Sequence, residues 1–455
     1  MKLEVDLALA RKYLRPGPRY TSYPTAPHFR DEFGPEDWTR AIEEGNRTAD
    51  RPLSLYLHFP FCAKLCWFCG CTMLVSHDRS RSADYLDVLF REIDLVASRL
   101  HDDRLVVQQH FGGGTPTFSP PDELRSIGER LRKRFNYAPD AEIGVEMDPR
   151  ELTLDHVRAL REIGANRASL GVQDHDPVVQ KAIHREQPRE MVEQCIEWIR
   201  DEGFESLNLD LIYGLPHQSV RSFRETLDSV LEIRPDRLAI FNYAHVPWMK
   251  PHQKLIHENE LPDEGERLAM LKDIIETVTA AGYVYVGMDH FALAEDELAV
   301  AQRAKTLQRN FQGYSTRAEA EIHAFGMSAI SQLDGTYAQN AKDLATWSAK
   351  VDAGELPVLR GYSPTDEDRI RRALIMTLMC DLELDHERFR AATGVDPRER
   401  FADELASLEP MEEDRLVTRD DDAVRVTLPG RLFLRNIAMA FDAYLGEGGR
   451  FSKTV

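Results

Sequence analysis

The chain has 455 residues, 42% hydrophobic and 29% charged, with a formal net charge of -20 and 6 cysteines. That length buries a large core without disulfides or metal to hold it folded, and it leaves room for two or three domains. The acidic excess argues against nucleic acid, which is bound by clustered Lys and Arg, and no apolar run approaches the roughly 18 residues of a membrane span, so neither is an expected partner.

The first residues, MKLEVDLALARKYL, interrupt their apolar positions with charge, unlike a secretory signal, and predict a cytoplasmic, reducing location. One stretch departs from the overall acidity. Between Met1 and Pro24 the charged residues are Lys2, Arg11, Lys12, Arg15 and Arg19 against Glu4 and Asp6, which from charge alone reads as a solvated terminal segment.

Strand-like and helical patterns then alternate. LSLYLHF (53–59) precedes the helical ADYLDVLFREIDLVASRL, and RLVVQQHF (104–111) precedes a helix that opens with SPPDE, read as a serine cap with prolines in the first turn. AEIGVEM (141–147), RASLGVQ (167–173), ESLNLDLIYG (205–214) and RLAIFNYAH (237–245) repeat the pairing. Such alternation implies right-handed crossovers and a parallel sheet, and six units suggest an incomplete (β/α)6 barrel. After about Leu356 the texture changes. Helical DRIRRALIMTLMC and FADELASLEP lead to the hairpin-like RLVTRDDDAVRVTLPG and then to helical RLFLRNIAMAFDAYL, a mainly helical, winged-helix-like arrangement. The expected domains are an N-terminal arm (1–46), a catalytic α/β barrel with its extension (47–350) and a C-terminal packing or lid domain (351–455).

Four cysteines, Cys62, Cys66, Cys69 and Cys71, fall within ten residues of HFPFCAKLCWFCGC, at the C-terminal end of the first strand, where parallel α/β folds place active sites. A reducing compartment disfavours a disulfide knot, and zinc sites usually offer two separated pairs. Closely spaced thiolates suit an iron–sulfur cluster, although the spacing CxxxCxxC is not that of plant-type ferredoxins. Cys195 and Cys380, in helical MVEQCIEWIR and LIMTLMC, read as core residues.

CxxxCxxC after the first strand resembles the signature of radical S-adenosylmethionine (SAM) enzymes. The extended YxHxPFCxxxCxFCxC is similar to the oxygen-independent coproporphyrinogen III oxidase (coproporphyrinogen dehydrogenase) family. RYTSYPTAPHF, HFGGGTPTF, GVQDHDPVVQKAIHREQ, NLDLIYGLP, FNYAHVP, GMDHFA, NFQGYST, GMSAIS and IAMAFDAYL follow the same pattern in order, over nearly the whole chain. The resemblance implies a [4Fe-4S] cluster on Cys62, Cys66 and Cys69, with the fourth iron left for SAM and Cys71 surplus. It implies two SAM molecules, one matched to Tyr56, Gly113, Glu146 and Ile330, the other to Phe68, Gly114, Thr115, Gln173, Arg185, Asp210 and Ala244. Carboxylates such as Glu146 and Asp210 can accept from ribose hydroxyls or an ammonium, and Arg185 can fork a carboxylate.

The implied reaction turns two propionates of coproporphyrinogen III into vinyl groups, giving protoporphyrinogen IX in haem biosynthesis. A low-potential electron donor such as flavodoxin or ferredoxin and a monomeric state come with it. The alternative is a related radical SAM-like haem-binding chaperone, whose pattern lacks a cysteine at Cys71, lacks RYTSYPT and differs around HREQ; all three are present here. No catalytic side chain is assigned, and His58 and His290 read as structural or ambiguous. A substrate with four propionates meets a chain of charge -20, so Arg15 and Arg19, with Tyr20 and Tyr23, are expected to form a cationic gate closing on the macrocycle, with Arg19 and Tyr20 as substrate contacts.

Overall fold

The computed structural model describes residues 5–48, 51–446 and 454. Six parallel strands form the centre: β1 (Leu53–Phe59), β2 (Leu105–Gly113), β3 (Asn136–Met147), β4 (Arg167–Gln173), β5 (Ser206–Tyr213) and β6 (Arg237–Asn242). Each pairs with its successor in chain order, the sequence-predicted (β/α)6 arrangement.

The helices between them bury one apolar stripe, and some of them start at side-chain caps. Thr153 caps Leu154–Glu162, and Ser219 with Ser222 makes a reciprocal box before Val220–Ile233. The expected cap at Ser119 is not formed. Helix Pro121–Arg134 begins after Pro120 without a side-chain cap, because the Ser119 hydroxyl is engaged with Ser82 Oγ at 2.6 Å.

The barrel does not close on itself; the sheet continues at both ends to twelve strands. Beyond β6, β7 (Tyr283–Gly287) and β8 (His290–Leu293) form an antiparallel hairpin with β8 against β6. Beyond β1 lies β9 (Glu321–Phe325), parallel to it in the register Leu53↔Glu321, and then antiparallel β10 (Ile330–Leu333), β11 (Thr336–Asn340) and β12 (Val358–Tyr362). The expected boundary between 350 and 351 therefore falls inside helix Leu344–Asp352, and the large sheet runs on to Tyr362.

The C-terminal part opens on helix Asp366–Asp381, boxed by Thr365 and Asp368. Its short strands Glu383–Asp385, Val417–Arg419 and Ala423–Val426 form a three-stranded antiparallel sheet among brief helices, as in a winged helix. Among the described residues no helix is long and apolar enough to cross a membrane.

The arm is not a solvated tail. Asp6 caps helix Leu7–Tyr13, and Arg435 from the C-terminal part donates to the carbonyls of Pro18, at 3.0 Å, and Gly17. Tyr20 and Tyr23 are fully buried, and Tyr20 donates to Asp442 at 2.9 Å. Tyr20 is thus a packing residue, and the expected contact between its ring and a substrate is not available in this arrangement. Lys2 and Glu4 lie outside the described residues.

Candidate active site

Side chains alternate across a strand, so every second residue of β2 to β5 faces the barrel interior. Gln108 and His110, Glu142 and Glu146, Ser169 and Gly171, Asn208 and Asp210 line one cavity of about 510 Å³ in this way. The cysteine loop after β1 forms its mouth with Cys62, Cys66, Phe68, Cys69 and Cys71. Among the sequence-predicted SAM residues, Phe68, Gly113, Gly114, Thr115, Glu146, Gln173, Arg185 and Asp210 all line this cavity.

Each of the three expected ligand sulfurs has its own donor. Thr115 Oγ1 reaches Cys62 Sγ at 3.4 Å, the Cys71 N–H reaches Cys69 Sγ at 3.4 Å, and Arg150 and Arg185 reach Cys66 Sγ at 3.2 and 3.5 Å. Among the described residues there is no group of three His, Cys, Asp or Glu side chains set to hold a single metal ion. The fit to a cluster rests on the donor set: thiolate sulfurs carry negative charge, and hydrogen bonds to them stabilise it. Burial pushes the free Cys62 thiol up to about 12, while hydrogen bonds from Cys71 pull Cys69 down. Coordination deprotonates a thiol outright, so these free-protein values set no barrier to ligation.

The glycine run works through close approach. Gly114 N–H donates to the Phe59 carbonyl at 2.6 Å and Thr115 N–H to the Phe61 carbonyl at 2.9 Å, fastening the end of β2 to the cysteine loop. Gly113 has φ +113° and donates to Glu146 Oε2 at 3.1 Å. Glu146 Oε1 also meets His110 Nε2 at 3.2 Å. Burial raises the Glu146 pKa, but His110 and the Gly113 N–H outweigh it and hold the carboxyl below its ordinary range. Asp210 goes the other way. Burial first and then the nearby Glu146 push it to about 6, against the donors Asn208 at 2.8 Å and Ser169 at 3.1 Å. Two like-charged carboxyls in one cavity with pKa values driven apart mark a place built for a cationic or polyhydroxyl ligand.

Arg185 is held in place within the protein and still lines the cavity. It donates to Asp148 at 3.1 Å, to the Gly171 carbonyl at 2.8 Å and to Gln187 at 3.1 Å. Asp148, held at about 2 by Arg185 and Arg150 against the upward push of burial, joins the two arginines behind Cys66. The sequence reading missed Asp148, Arg150 and His110. The DPR that directly follows β3 was the available signal, since charged residues at the C-terminal end of a barrel strand are placed at the site.

Two expected SAM residues lie elsewhere. Ala244 is exposed and lines a separate pocket of about 320 Å³, because the chain has already left the barrel interior after Asn242. Ile330 packs near Phe29 and Tyr337 in the antiparallel extension. Tyr56 stands beside the cavity, its ring stacked on His110 and its hydroxyl 3.2 Å from His58 Nδ1. Arg19 pairs with Asp289 in the separate pocket and stacks 5.8 Å from Phe241, whose ring lines the main cavity.

His58 Nε2 faces the Thr72 carbonyl at 2.9 Å, and burial lowers its pKa, so the neutral ring is a brace for the cysteine loop. His290 lines the cavity as a neutral imidazole. Burial and then Arg309 bring it to about 4, and Nδ1 faces the Met288 carbonyl at 2.6 Å.

Comparison with known proteins agrees with this architecture. Residues 56–230 match the model of the radical SAM superfamily, and residues 365–433 match the HemN C-terminal domain. The oxygen-independent coproporphyrinogen III oxidase of Pseudomonas aeruginosa is 45% identical over 454 residues, covering 99% of this chain and 98% of its own. That of Synechocystis is 42% identical over 447 residues, covering 97% and 96%. The solved structure of the Escherichia coli coproporphyrinogen III oxidase, described as a radical SAM enzyme, superposes with a TM-score of 0.93 at 43% identity over 98% of this chain and 100% of its own. With its thiol-rimmed barrel cavity and these relatives along its whole length, the chain belongs to the oxygen-independent coproporphyrinogen III oxidases of the radical SAM superfamily.

Proposed function

We propose that the chain performs the oxidative decarboxylation its family name describes, converting two propionate side chains of coproporphyrinogen III to vinyl groups and yielding protoporphyrinogen IX in haem biosynthesis. The observation that carries the reading is the convergence of three donor-supported thiols, the Gly113–Thr115 turn and the Glu146–Asp210 pair in one cavity. When bound, a [4Fe-4S] cluster and SAM would supply the one-electron chemistry that removes a hydrogen atom from the β-carbon of a propionate, with carbon dioxide and one further electron, passed to an acceptor, lost from the substrate.

The chain's own part is binding and positioning. Cys62, Cys66 and Cys69 hold the cluster, and Gly113 and Glu146 serve the SAM beside it, with Tyr56 bracing His110. Phe68, Gly114, Thr115, Gln173, Arg185 and Asp210 suit a second SAM, since they supply an apolar face, backbone close approach, a guanidinium and a carboxyl from the same cavity. Enclosure in a barrel keeps a radical from solvent. Arg19 stands behind Phe241 with its guanidinium in reach of an incoming propionate should the Asp289 pair open. The protein is read as a cytoplasmic monomer served by a low-potential carrier such as flavodoxin or ferredoxin.

Anaerobic reconstitution with iron and sulfide, followed by assay of carbon dioxide release from coproporphyrinogen III with SAM and a reductant, tests the proposal. Two equivalents of carbon dioxide per macrocycle are expected; a fully loaded protein that cleaves SAM without releasing any would overturn it.

A further inference from the structure

The cysteine loop is gripped from outside by a single segment. Lys250 Nζ donates to the Cys71 carbonyl, His252 Nε2 bonds the Cys69 carbonyl and Gln253 Nε2 donates to the Phe68 carbonyl, each at 2.8 Å. On the loop's other side the Trp67 N–H donates to the Ile183 carbonyl at 3.0 Å, just beyond helix Pro177–Ala182. Val179, Ile183 and Ile256 share one apolar cluster with Trp67 and Phe68, so the three pieces pack as a unit.

Large apolar side chains stand out from the outer side of this unit: Met249 is 63% exposed, Val178 60% and Leu255 48%. Its charge is also unusual. Residues 60–77 and 240–257 contain Lys64, Lys250 and Lys254 and no Asp or Glu, whereas the chain carries 77 acidic residues in 455, which predicts about six over those stretches; helix Pro177–Ala182 adds Lys181 with its cap Asp176, and Glu258 borders the second stretch. Exposed apolar groups rimmed by polar and charged residues mark an interaction surface.

We infer that this face docks a small acidic flavoprotein that delivers the electron needed by the cluster, an inference that rests on the radical SAM reading above. An acidic carrier is repelled by a body of charge -20 and finds here a lysine-bearing approach with few acids. The apolar side chains match the apolar dimethylbenzene edge of a flavin. Gln253, His252 and Lys250 bond directly to residues 68, 69 and 71, so the path from this surface to the Cys69 sulfur is short. One electron leaves the fully reduced flavin and reduces the oxidised cluster by one; no bond or proton is transferred. Weak redox encounters bury little area, in keeping with a compact face of this kind.

The test uses the reconstituted holoprotein and follows cluster bleaching in a stopped-flow instrument, with reduced flavodoxin as one reductant and dithionite as the other. Lys254→Glu and Met249→Glu alter exposed side chains of the face, and Val300→Glu alters an exposed apolar residue on helix Glu297–Ala304, apart from it. Both face variants are expected to slow flavodoxin-driven reduction at least tenfold at low salt and to flatten its salt dependence, with Lys254→Gln intermediate. Dithionite-driven reduction and cluster content stay at the parent level, and Val300→Glu changes nothing. Parent-level flavodoxin rates in both face variants, an equal loss in Val300→Glu, or a parent protein reduced by dithionite but never by flavodoxin would each overturn the inference. A chain that takes up no cluster at all is a different result, which removes the functional reading and this inference with it.

Discussion

Arg150 donates to the Cys66 sulfur at 3.2 Å while the same guanidinium is clamped by Asp148 at 2.6 Å. Both side chains are nearly buried, so the donor cannot swing away to water. A cation bonded to a ligand sulfur stabilises the more negative, reduced cluster. Arg150→Leu is therefore expected to lower the midpoint potential by about 60 mV, a tenfold change in a one-electron equilibrium. A redox titration followed by electron paramagnetic resonance measures it; an unmoved potential in a fully loaded variant would show that the contact does not reach the cluster.

The cysteine variants separate ligand from bystander. Cys62→Ser, Cys66→Ser and Cys69→Ser each remove a thiolate with a dedicated donor, and each should lose most iron and sulfide after anaerobic reconstitution. Cys71 offers its N–H to the Cys69 sulfur, a contact that serine preserves. Cys71→Ser should hold the parent iron content, and chemical analysis with the charge-transfer absorbance decides between the two behaviours.

The six parallel strands and the cysteine loop were legible because period-2 and period-3.6 patterns and thiol spacing are local signals. The extension β9 to β12 was not. Its short strands acquire meaning only through pairing with β1, a contact between Leu53 and Glu321 that no local pattern announces. The charged ring behind Cys66 was half legible: Arg185 came through family pattern, but Arg150 and Asp148 needed the geometry. The arm was misread in its tyrosines, since sequence records aromaticity and charge but not that Tyr20 meets Asp442 some 422 positions away.

That placement of Tyr20 makes a prediction. Its hydroxyl is buried against Asp442, whose own pKa burial raises, and removing one partner of a buried pair costs about 1–3 kcal/mol. Tyr20→Phe should lower thermal stability of the metal-free protein while the KM for coproporphyrinogen III stays unchanged. A large rise in KM with unchanged melting temperature would return Tyr20 to the substrate site.

Asp210 ionises near 6 in the folded protein against 3.8 as its ordinary value. Between those values the folded state holds a proton the unfolded chain has lost, so stability falls as pH rises through that window and stays reduced above it. At 1.36 kcal/mol per unit, the penalty at pH 8 is at most about 3 kcal/mol. Asp210→Asn escapes it but gives up one acceptor for Asn208 or Ser169. The change in melting temperature caused by this substitution should thus be more favourable at pH 8 than at pH 4. In parallel the loaded variant should bind one SAM fewer by anaerobic equilibrium dialysis. Equal changes at both pH values would mean that the carboxyl is not held at this cost.

Two neighbouring glycines should respond to the same substitution in different ways. A Cβ on Gly113 would fall 2.6 Å from His58 Cε1 and Nδ1, and φ +113° is strained for any L side chain. The obstacle there is chiefly a ring, but His58 holds the Thr72 carbonyl and so the far side of the cysteine loop. On Gly114 a Cβ would lie 2.8 to 2.9 Å from the carbonyl oxygens of Phe59, Pro60 and Phe61, all backbone. Those carbonyls belong to the turn into Cys62, and two of them accept the N–H bonds that join β2 to the loop. Gly114→Ala must therefore push the loop and β2 apart, and it should lose cluster content together with SAM binding. Gly113→Ala should retain more cluster than Gly114→Ala and be impaired chiefly in SAM affinity, by tenfold or more, through strain of about 1–3 kcal/mol at the turn. Iron analysis and SAM dialysis on both variants test the order; a Gly114→Ala protein with full iron and full SAM affinity would show that this close approach of backbones is not what shapes the site.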